Sequence, residues 1–192
     1  MNILIIPEDF RKDQFILKPI VEALLRHTGQ NQTKIRVCQD PLLGGIGEAL
    51  KWDRLLEIIE NYDWQVDLFL LCVDRDGKPG RKETLGHLEQ LARQKVRAGH
   101  AFFAENAWQE LEVWVLAGHD LLPGWQWHRI RAEIDPKERY FMPLVEKLGL
   151  EDTPGEGRKI MAEKATARYS RIRHRCPEIA AMEGRIQEWI GA

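Results

Sequence analysis

Short apolar runs alternate with segments of helical periodicity through the first half of the chain. The apolar runs have the length and composition of β-strands, and the segments between them repeat apolar residues every three or four positions, as one face of a helix does. The third run, "VDLFLLCV", is apolar on both faces, which is typical of a central parallel strand. The predicted strands are 2–7, 33–38, 66–73 and 100–104, and the predicted helices are 13–27, 48–62 and 81–96.

This alternation of strands and helices predicts an α/β fold. It favours a Rossmann-like parallel sheet of about four strands with helices on both faces. The pattern changes after residue 105, where a loop-rich insert over 119–136 interrupts a series of helical segments. Those segments are predicted at 108–118, 136–149, 156–175 and 177–190. We therefore predict an α/β core over 1–105 and a C-terminal helical extension over 106–192, packed on the core within a single domain.

Composition and charge narrow the class of protein. The 192 residues are 44% hydrophobic and 30% charged with a net charge of −2, so any nucleic-acid surface must be a local patch. No apolar run approaches the roughly 18 residues of a membrane span, and the N-terminus lacks the basic segment of a signal peptide, so a cytoplasmic location is expected. Cys38, Cys72 and Cys176 are too widely spaced to indicate a disulfide framework or a zinc site.

Acidic residues follow two of the predicted strands at the point where each strand ends. Asp74 and Asp76 follow the third strand, and Glu8 and Asp9 follow the first. The carboxyl ends of parallel strands meet at one edge of a sheet, where ligands bind. If strand geometry persists through Arg75, the carboxylates of Asp74 and Asp76 project to the same side. Two carboxylates about 4 Å apart repel each other, and a divalent cation converts that cost into a gain, so this edge is predicted to bind a metal ion.

Both acidic segments also have a purely structural explanation. A D-x-D-G sequence is a common polar turn after a strand, since Asp and Gly are frequent turn residues. Glu8 and Asp9 are also well placed to cap the helix that begins nearby or to lie in its first turn.

The order of these motifs resembles the Toprim domain of topoisomerases, primases and overcoming-lysogenisation-defect nucleases. In this resemblance "IIPED" is the strand that ends in the Toprim glutamate, and "LCVDRDG" is the later strand that ends in D-x-D, over about residues 1–105. The segments "ELEVW", "DPKE" and "RHRCPEI" are similar to a family of small, largely uncharacterised bacterial proteins with a Toprim-like core, which are often encoded beside ATPases in phage-defence neighbourhoods. The similarity then extends over most of the chain.

The resemblance implies a magnesium-dependent nuclease or a related phosphodiester-cleaving enzyme. It implies Glu8 as the general acid/base or a metal ligand, and Asp74 and Asp76 as ligands of Mg²⁺ or Mn²⁺. Such a metal meets a need of the chemistry, because cleavage must neutralise charge on the phosphorane and stabilise the attacking and leaving oxygens. The implied partners are DNA or RNA and an AAA- or ABC-type ATPase encoded nearby.

Further acids are candidates for the metal site. Many Toprim nucleases place an Asp four residues after the glutamate, where this chain has Lys12 with Asp9 and Asp13 on either side, so the composition of a second metal site remains open. Glu110 and Glu112 lie in a predicted helix, where residues two apart face in different directions, so only one can join the cluster. Glu112 is favoured, and a solvated charge on an amphipathic helix is the alternative.

Basic residues in two segments are predicted to contact nucleic acid. Lys78 and Arg81 follow the D-x-D-G turn, and the segment 157–175 holds seven Lys or Arg against one Glu. A basic surface beside acidic metal ligands would hold phosphates that the carboxylates alone repel. A solvated basic face, or one paired with acids of this chain, is the alternative. The cations of this segment that recur at helical spacing are Lys164, Arg168, Arg171 and Arg175.

Three functions are consistent with the sequence. The favoured one is a Toprim-type Mg²⁺-dependent nuclease, and the second is a non-catalytic Toprim-like subunit that binds nucleic acid or a partner ATPase. The third is a phosphatase of the haloacid dehalogenase type, but those enzymes carry D-x-D-G on the first strand with a Thr after the Gly, where this chain has Lys78 on an internal strand. No P-loop or dinucleotide-binding motif is present, so the chain is not expected to hydrolyse ATP itself.

Overall fold

The computed structural model describes residues 1–191, and a four-stranded parallel sheet forms the centre of that region. The order across the sheet is β2-β1-β3-β4, and each neighbouring pair is parallel. The predicted α/β fold with a parallel sheet of four strands is therefore confirmed. The strands are β1 (Asn2–Pro7), β2 (Lys34–Val37), β3 (Leu68–Asp74) and β4 (Ala101–Ala107).

Helices connect the strands and cover both faces of the sheet. Those before β4 are α1 (Phe10–His27), α2 (Ile46–Ala49), α3 (Trp52–Tyr62) and α4 (Arg81–Arg93). Those after β4 are α5 (Glu112–Gly118), α6 (Trp127–Ala132), a π-helical turn (Lys137–Phe141), α7 (Met142–Lys147), α8 (Arg158–Thr166), α9 (Tyr169–Arg175) and α10 (Pro177–Gly191).

The side chains of the central strands alternate between two hydrophobic clusters. Ile3 and Ile5 of β1 pack with α1 and the C-terminal helices, whereas Leu4 and Ile6 pack with α3 and α4 on the other face. The extension contributes the fully buried Trp114 to the first of these clusters. Both faces of the sheet are therefore covered, which is why β3 is apolar at consecutive positions.

Several predicted boundaries are wrong. The predicted helix 48–62 is two helices, α2 and α3, and the predicted helix 108–118 begins only at Glu112, because β4 continues to Ala107 and the chain then turns at Gln109 with φ 74°. The predicted helix 156–175 is divided into α8 and α9, and the predicted loop insert contains α6. The predicted helix 136–149 begins as a π-helical turn.

The connections place a crevice between the carboxyl ends of β1 and β3. The chain leaves β1 through α1 to β2 on one side, then crosses to β3 on the other side, so the strand order reverses at β1. In open α/β sheets, ligands bind at the carboxyl ends of the strands where the order reverses. Pro7 pairs with Cys72 across this boundary, so Glu8 and Asp74 both reach the same edge. The sheet thus positions the acidic residues that follow its two central strands.

The state of the cysteines and the length of the helices were also considered in the sequence. Cys38, Cys72 and Cys176 are buried free thiols. None of the helices formed by residues 1–191 is long and apolar enough to cross a membrane.

Candidate functional site

Glu8 and Asp74 meet at the crevice between β1 and β3. The backbone N–H of Asp74 donates to Glu8 Oε2 at 3.4 Å, and Asp74 Oδ1 accepts the backbone N–H of Leu111 at 2.8 Å. The Asp74 side chain therefore joins β3 to the turn that precedes α5. Burial raises the pKa of Asp74 well above its usual range, and the neighbouring charge of Glu8 raises it further.

Asp13 and Glu112 are two more carboxyl groups within electrostatic range of Glu8 and Asp74. Burial raises the pKa of Glu8 to about 7 and that of Asp13 to about 7. The charges of Glu8 and Glu112 raise the pKa of Asp13 further, and those of Glu8, Glu112 and Asp13 raise the pKa of Asp74 further. We call Glu8, Asp13, Asp74 and Glu112 the carboxylate cluster. It combines Glu8, which follows β1, and Asp74, which ends β3, with one residue from each of α1 and α5.

The start of α1 separates the roles of its acidic residues. Asp9 Oδ1 accepts the N–H of Arg11 at 2.9 Å, so Asp9 caps the helix as the structural alternative predicted. Asp13 Oδ2 accepts the N–H of Asp9 at 2.8 Å, which fixes Asp13 in the first turn, beside Glu8. Lys12 instead forms an ion pair with the half-exposed Glu156 at 3.1 Å.

Arg158 is a functional candidate that the sequence analysis did not single out. Its side chain is 2% exposed and donates from Nε at 2.9 Å and from Nη2 at 2.6 Å to Oε1 of Glu112. It also donates from Nη1 to the carbonyl of Gly155 and to Glu156. The alternative that Glu112 is a solvated charge is wrong, because its side chain is 7% exposed. Arg158 therefore compensates the negative charge of Glu112 within the carboxylate cluster.

Asp76 departs from the expected strand geometry. β3 ends at Asp74, and Asp76 has φ 52°, so the prediction that strand geometry persists through Arg75 is wrong. The backbone N–H groups of Arg75 and Asp76 both donate to the carbonyl of Gln109, which closes a turn. The Asp76 carboxylate is 40% exposed and lies 3.6 Å from Arg81 Nη2. Its role as a metal ligand stays a prediction.

Glu110 and Glu112 have different surroundings, as predicted from their spacing, although Glu110 precedes the helix. Glu110 Oε2 accepts the backbone N–H of Lys137 at 2.7 Å and so holds the beginning of the π-helical turn. Burial raises the pKa of Glu110 to about 7, and Glu112 raises it further. Glu110 therefore borders the carboxylate cluster but is engaged in a structural contact.

The predicted basic stripe is not one helical face. The helix is interrupted between α8 and α9. Arg168 and Arg171 both form ion pairs with Asp120, at 2.7 and 2.8 Å. Arg175 donates to the carbonyl of Ala117 at 3.2 Å. These contacts lie near and beyond the C-terminal end of α5, whereas the carboxylate cluster lies at its N-terminal end, about 10 Å away for a helix of this length. Binding of nucleic acid by Lys164, Arg168, Arg171 and Arg175 stays a prediction.

Lys78 and Arg81 are the two predicted cations that lie just after β3. Both line a cleft of about 590 Å³ beside the carboxyl ends of β3 and β4. The charge of Arg81 lowers the pKa of Glu8, opposing the effects of burial and of the Asp76 charge, so Arg81 and Asp76 both lie within electrostatic range of Glu8. Both cations are therefore placed at the edge of the sheet where a substrate would approach the acids.

The donor set fits a hard divalent cation by its chemistry. Mg²⁺ and Mn²⁺ prefer carboxylate oxygens, and such a cation would offset the burial and the neighbouring negative charges that raise the pKa of Glu8, Asp13 and Asp74. Over residues 1–191, no three acidic, His or Cys side chains are already arranged as a set of metal ligands. Metal binding therefore requires side-chain rotation, and Glu8, whose side chain has the 3.4 Å contact with the N–H of Asp74 as its one hydrogen bond within this range, is the least constrained of the four.

No family model, curated protein or solved structure matches this chain. The geometry and chemistry of the site are therefore the basis for the function proposed for this chain.

The raised pKa values predict that the metal-free protein is more stable in mild acid than at neutral pH. Glu8, Asp13 and Glu110 have pKa values of about 7, against 4.5 for Glu and 3.8 for Asp ordinarily. Between these values the folded protein binds more protons than the unfolded chain. Its free energy of unfolding should fall by on the order of a few kcal/mol as the pH rises from about 4 to about 7, then level off. Thermal melting in EDTA across this range measures the effect.

A matched pair of variants tests whether the cluster causes this pH dependence. Glu8→Gln should flatten the curve, because it removes one group that titrates near pH 7, whereas Glu163→Gln on the exposed face of α8 should not. Burial lowers the pKa of His119, so this group makes stability rise with pH. It is a single group set against the three acids. A stability that rises from mild acid to neutral pH would contradict the raised pKa values of the cluster.

Proposed function

We propose that this protein is a metal-dependent, Toprim-type nuclease or a related phosphodiester-cleaving enzyme. The observation that supports the proposal is the carboxylate cluster at the point where the strand order reverses. Buried carboxylates that repel one another are costly to maintain, and such groups concentrate at functional sites. The motif order of the Toprim resemblance agrees with this location, because Glu8 and Asp74 follow the two central strands.

Residues of the carboxylate cluster would hold Mg²⁺ or Mn²⁺ through carboxylate oxygens. Asp74 is the best-fixed ligand candidate, since its Oδ1 is anchored to the N–H of Leu111. Glu112 is oriented through Oε1 by Arg158, which leaves Oε2 for another partner. When bound, the metal supplies charge neutralisation at the phosphate and activation of the attacking water.

Glu8 is suited to move a proton at this site. With a pKa of about 7, its carboxyl group populates both protonation states at neutral pH, as an efficient general acid or base does. The N–H of Asp74 contacts its Oε2, which limits the orientations of the carboxyl group. Asp13 beside it has a pKa of about 7 and could take the same role or act as a ligand. Arg158 is a positioning residue, because it acts through Glu112.

A second candidate function is a non-catalytic subunit that binds nucleic acid or a partner ATPase. The position of Asp76 favours it, because this carboxylate contacts Arg81 rather than continuing the line of β3. The resemblance to proteins encoded beside ATPases in phage-defence neighbourhoods makes an ATPase of the AAA or ABC type the partner to test. Such a subunit would bind nucleic acid or the ATPase without cutting.

Cleavage assays distinguish the two functions. The full chain is incubated with labelled single- and double-stranded DNA and with RNA, in Mg²⁺, Mn²⁺, Ca²⁺ or EDTA. We expect cleavage in Mg²⁺ or Mn²⁺ and none in EDTA. Glu8→Gln should abolish this cleavage, and Glu163→Gln should retain it, since this exposed glutamate of α8 lies outside the cluster. Metal-independent cleavage, or cleavage that survives Glu8→Gln, would show that the carboxylate cluster is not the catalytic centre.

A further inference from the structure

The cleft beside β3 and β4 is positively charged within a chain of net negative charge. Its lining contains five Lys or Arg and three Glu, a net formal charge of +2, whereas the whole chain carries −2. Burial also raises the pKa of one of these acids, Glu105, which weakens its negative contribution near neutral pH. The lining cations are Arg75, Lys78, Arg81, Lys82 and Arg131. A concentration of positive charge in a concave surface attracts anions.

Arg81 is buried in the wall of this cleft without a hydrogen-bond partner for its Nε. Its side chain is 10% exposed, and that Nε, which is itself inaccessible to solvent, has no acceptor in residues 1–191. Asp76 Oδ2 lies 3.6 Å from Nη2, which is too long for a hydrogen bond. A buried guanidinium normally satisfies its donors, because leaving them unpaired costs free energy. The donors that Arg81 offers to a ligand in the cleft are therefore those of its Nη groups, one of which lies beside Asp76.

The same cleft contains the beginning of α4. Gly80 precedes the helix with φ 84°, and no side chain in the described part of the chain caps the first turn. The uncapped N–H groups of a helix of 13 residues, together with its dipole, favour an anion at this end. Lys82 follows Arg81 in this first turn, and Lys78 lies on the exposed loop before it. The helix end and the guanidinium of Arg81 thus favour the same kind of ligand.

We propose that this cleft is a phosphate-binding site, formed by Arg81, Lys78, Lys82 and the N-terminal turn of α4. Phosphate matches the donors on offer, because its oxygens accept from backbone N–H groups and from the planar guanidinium together. The choice of a nucleic-acid strand as the source of the phosphate rests on the proposed nuclease function. The site would hold one phosphate of the strand beside the carboxylate cluster, where acids alone would repel it.

Trp108 gives the cleft a surface for a nucleotide rather than for a bare anion. Its side chain is 39% exposed in the cleft wall, and the guanidinium of Arg75 lies 4.0 Å from the ring centroid. Exposed aromatic and guanidinium planes stack on nucleic-acid bases without sequence preference. A phosphate on Arg81 with a base on Trp108 or Arg75 is the arrangement expected for a single strand.

Binding measured in EDTA tests the site separately from any metal-dependent chemistry. Labelled single-stranded DNA and RNA of about 12 nucleotides are titrated by fluorescence anisotropy, and pyrophosphate is titrated by calorimetry. Arg81→Gln should weaken each interaction by about tenfold or more, and Lys78→Gln, on the exposed loop, by a smaller factor. The matched control is Arg93→Gln, which removes the same charge at the opposite, exposed end of α4 and should change nothing.

The possible outcomes distinguish a failure of the phosphate-binding site from a failure of the proposed nuclease function. Wild-type protein that binds none of the probes, an Arg81→Gln variant that binds as well as wild type, or an equal loss in Arg93→Gln would overturn the phosphate site. If Arg81→Gln does not fold, Lys78→Gln against Arg93→Gln gives the same test. Strands that are cut in Mg²⁺ but bind independently of both cleft residues would leave the nuclease standing without this site. Arg81-dependent binding of pyrophosphate alone would identify a free polyphosphate ligand and argue against nucleic acid as the substrate.

Discussion

Asp74→Asn is expected to reduce metal-dependent cleavage by roughly a hundredfold or more while the fold remains intact. The substitution removes a ligand charge from the centre of the carboxylate cluster. It keeps an oxygen that can accept the N–H of Leu111, which Asp74→Ala would leave unpaired in a buried position. The loss should therefore be one of chemistry and metal binding, not of folding.

The stability of the same variant should change in opposite directions with and without metal. In EDTA, Asp74→Asn should melt at the same temperature as wild type or higher, because one of several mutually repelling carboxylates is gone. In Mn²⁺ its stabilisation should shrink, since a ligand that binds only the folded state stabilises by mass action. Cleavage and thermal melting are measured on the same preparations.

Asp67→Asn is the matched control for this experiment. Asp67 precedes β3 at the opposite edge of the sheet, and its Oδ2 likewise accepts a backbone N–H, that of Asn2 at 2.7 Å. Its substitution should leave cleavage and the response to Mn²⁺ unchanged. If Asp74→Asn melts far below wild type in EDTA, Asp74 is a structural cap of the turn before α5 instead.

Arg158→Met is expected to destabilise the metal-free protein by about 3–5 kcal/mol, roughly 10 °C or more in melting temperature. The reason is the partner that remains. Glu112 would be left in a buried position, in the carboxylate cluster, without the cation and the two hydrogen bonds that Arg158 supplies. Chemical denaturation in EDTA measures the change.

Two further variants separate this ion pair from general effects of losing a cation. Arg158→Met combined with Glu112→Gln should recover much of the lost stability, since it removes the unpaired charge. Arg168→Met breaks the exposed pair with Asp120 and should cost less than about 1 kcal/mol. If the double variant is no more stable than Arg158→Met, the arginine stabilises the fold through packing rather than through Glu112.

The sheet and the meeting of Glu8 with Asp74 could be predicted because both depend on local signals. β3 is apolar at consecutive positions, which only a strand covered on both faces requires, and residues that follow parallel strands reach the same edge. The position of Asp76 could not be predicted from the alternation of a strand. Its left-handed conformation arises from the turn in which its N–H bonds to the carbonyl of Gln109, 33 residues later.

Arg158 was missed because its partner is distant in sequence. It lies 46 residues from Glu112, within a segment of seven basic residues, most of which are exposed or paired with surface acids. The glycine before it, Gly157, is a local signal in the sequence, and the structure shows why a glycine stands there. Gly157 precedes Arg158 with φ 84°, and a Cβ there would approach a side-chain carbon of Val145 to 2.6 Å, so the chain enters α8 through a close contact with the core.

The break between α8 and α9 was hidden for a different reason. The apolar spacing of Met161, Ala165, Tyr169 and Ile172 continues across it, so periodicity alone predicts one helix. The break shifts the basic residues that follow, and two of them find Asp120 instead of a shared stripe. Pairing with an acid of the same chain is a tertiary contact that the charge count of the segment does not reveal.

The most direct test of the carboxylate cluster is the anomalous scattering of crystals soaked in Mn²⁺. We predict a manganese peak at the crevice between β1 and β3, coordinated by carboxylate oxygens of Glu8 and Asp74 with Asp13 or Glu112 rotated to join them, and absent from crystals of Asp74→Asn. Crystals in which this crevice is open to solvent yet binds no Mn²⁺, or in which the ion binds elsewhere and is unaffected by Asp74→Asn, would contradict the proposed metal centre.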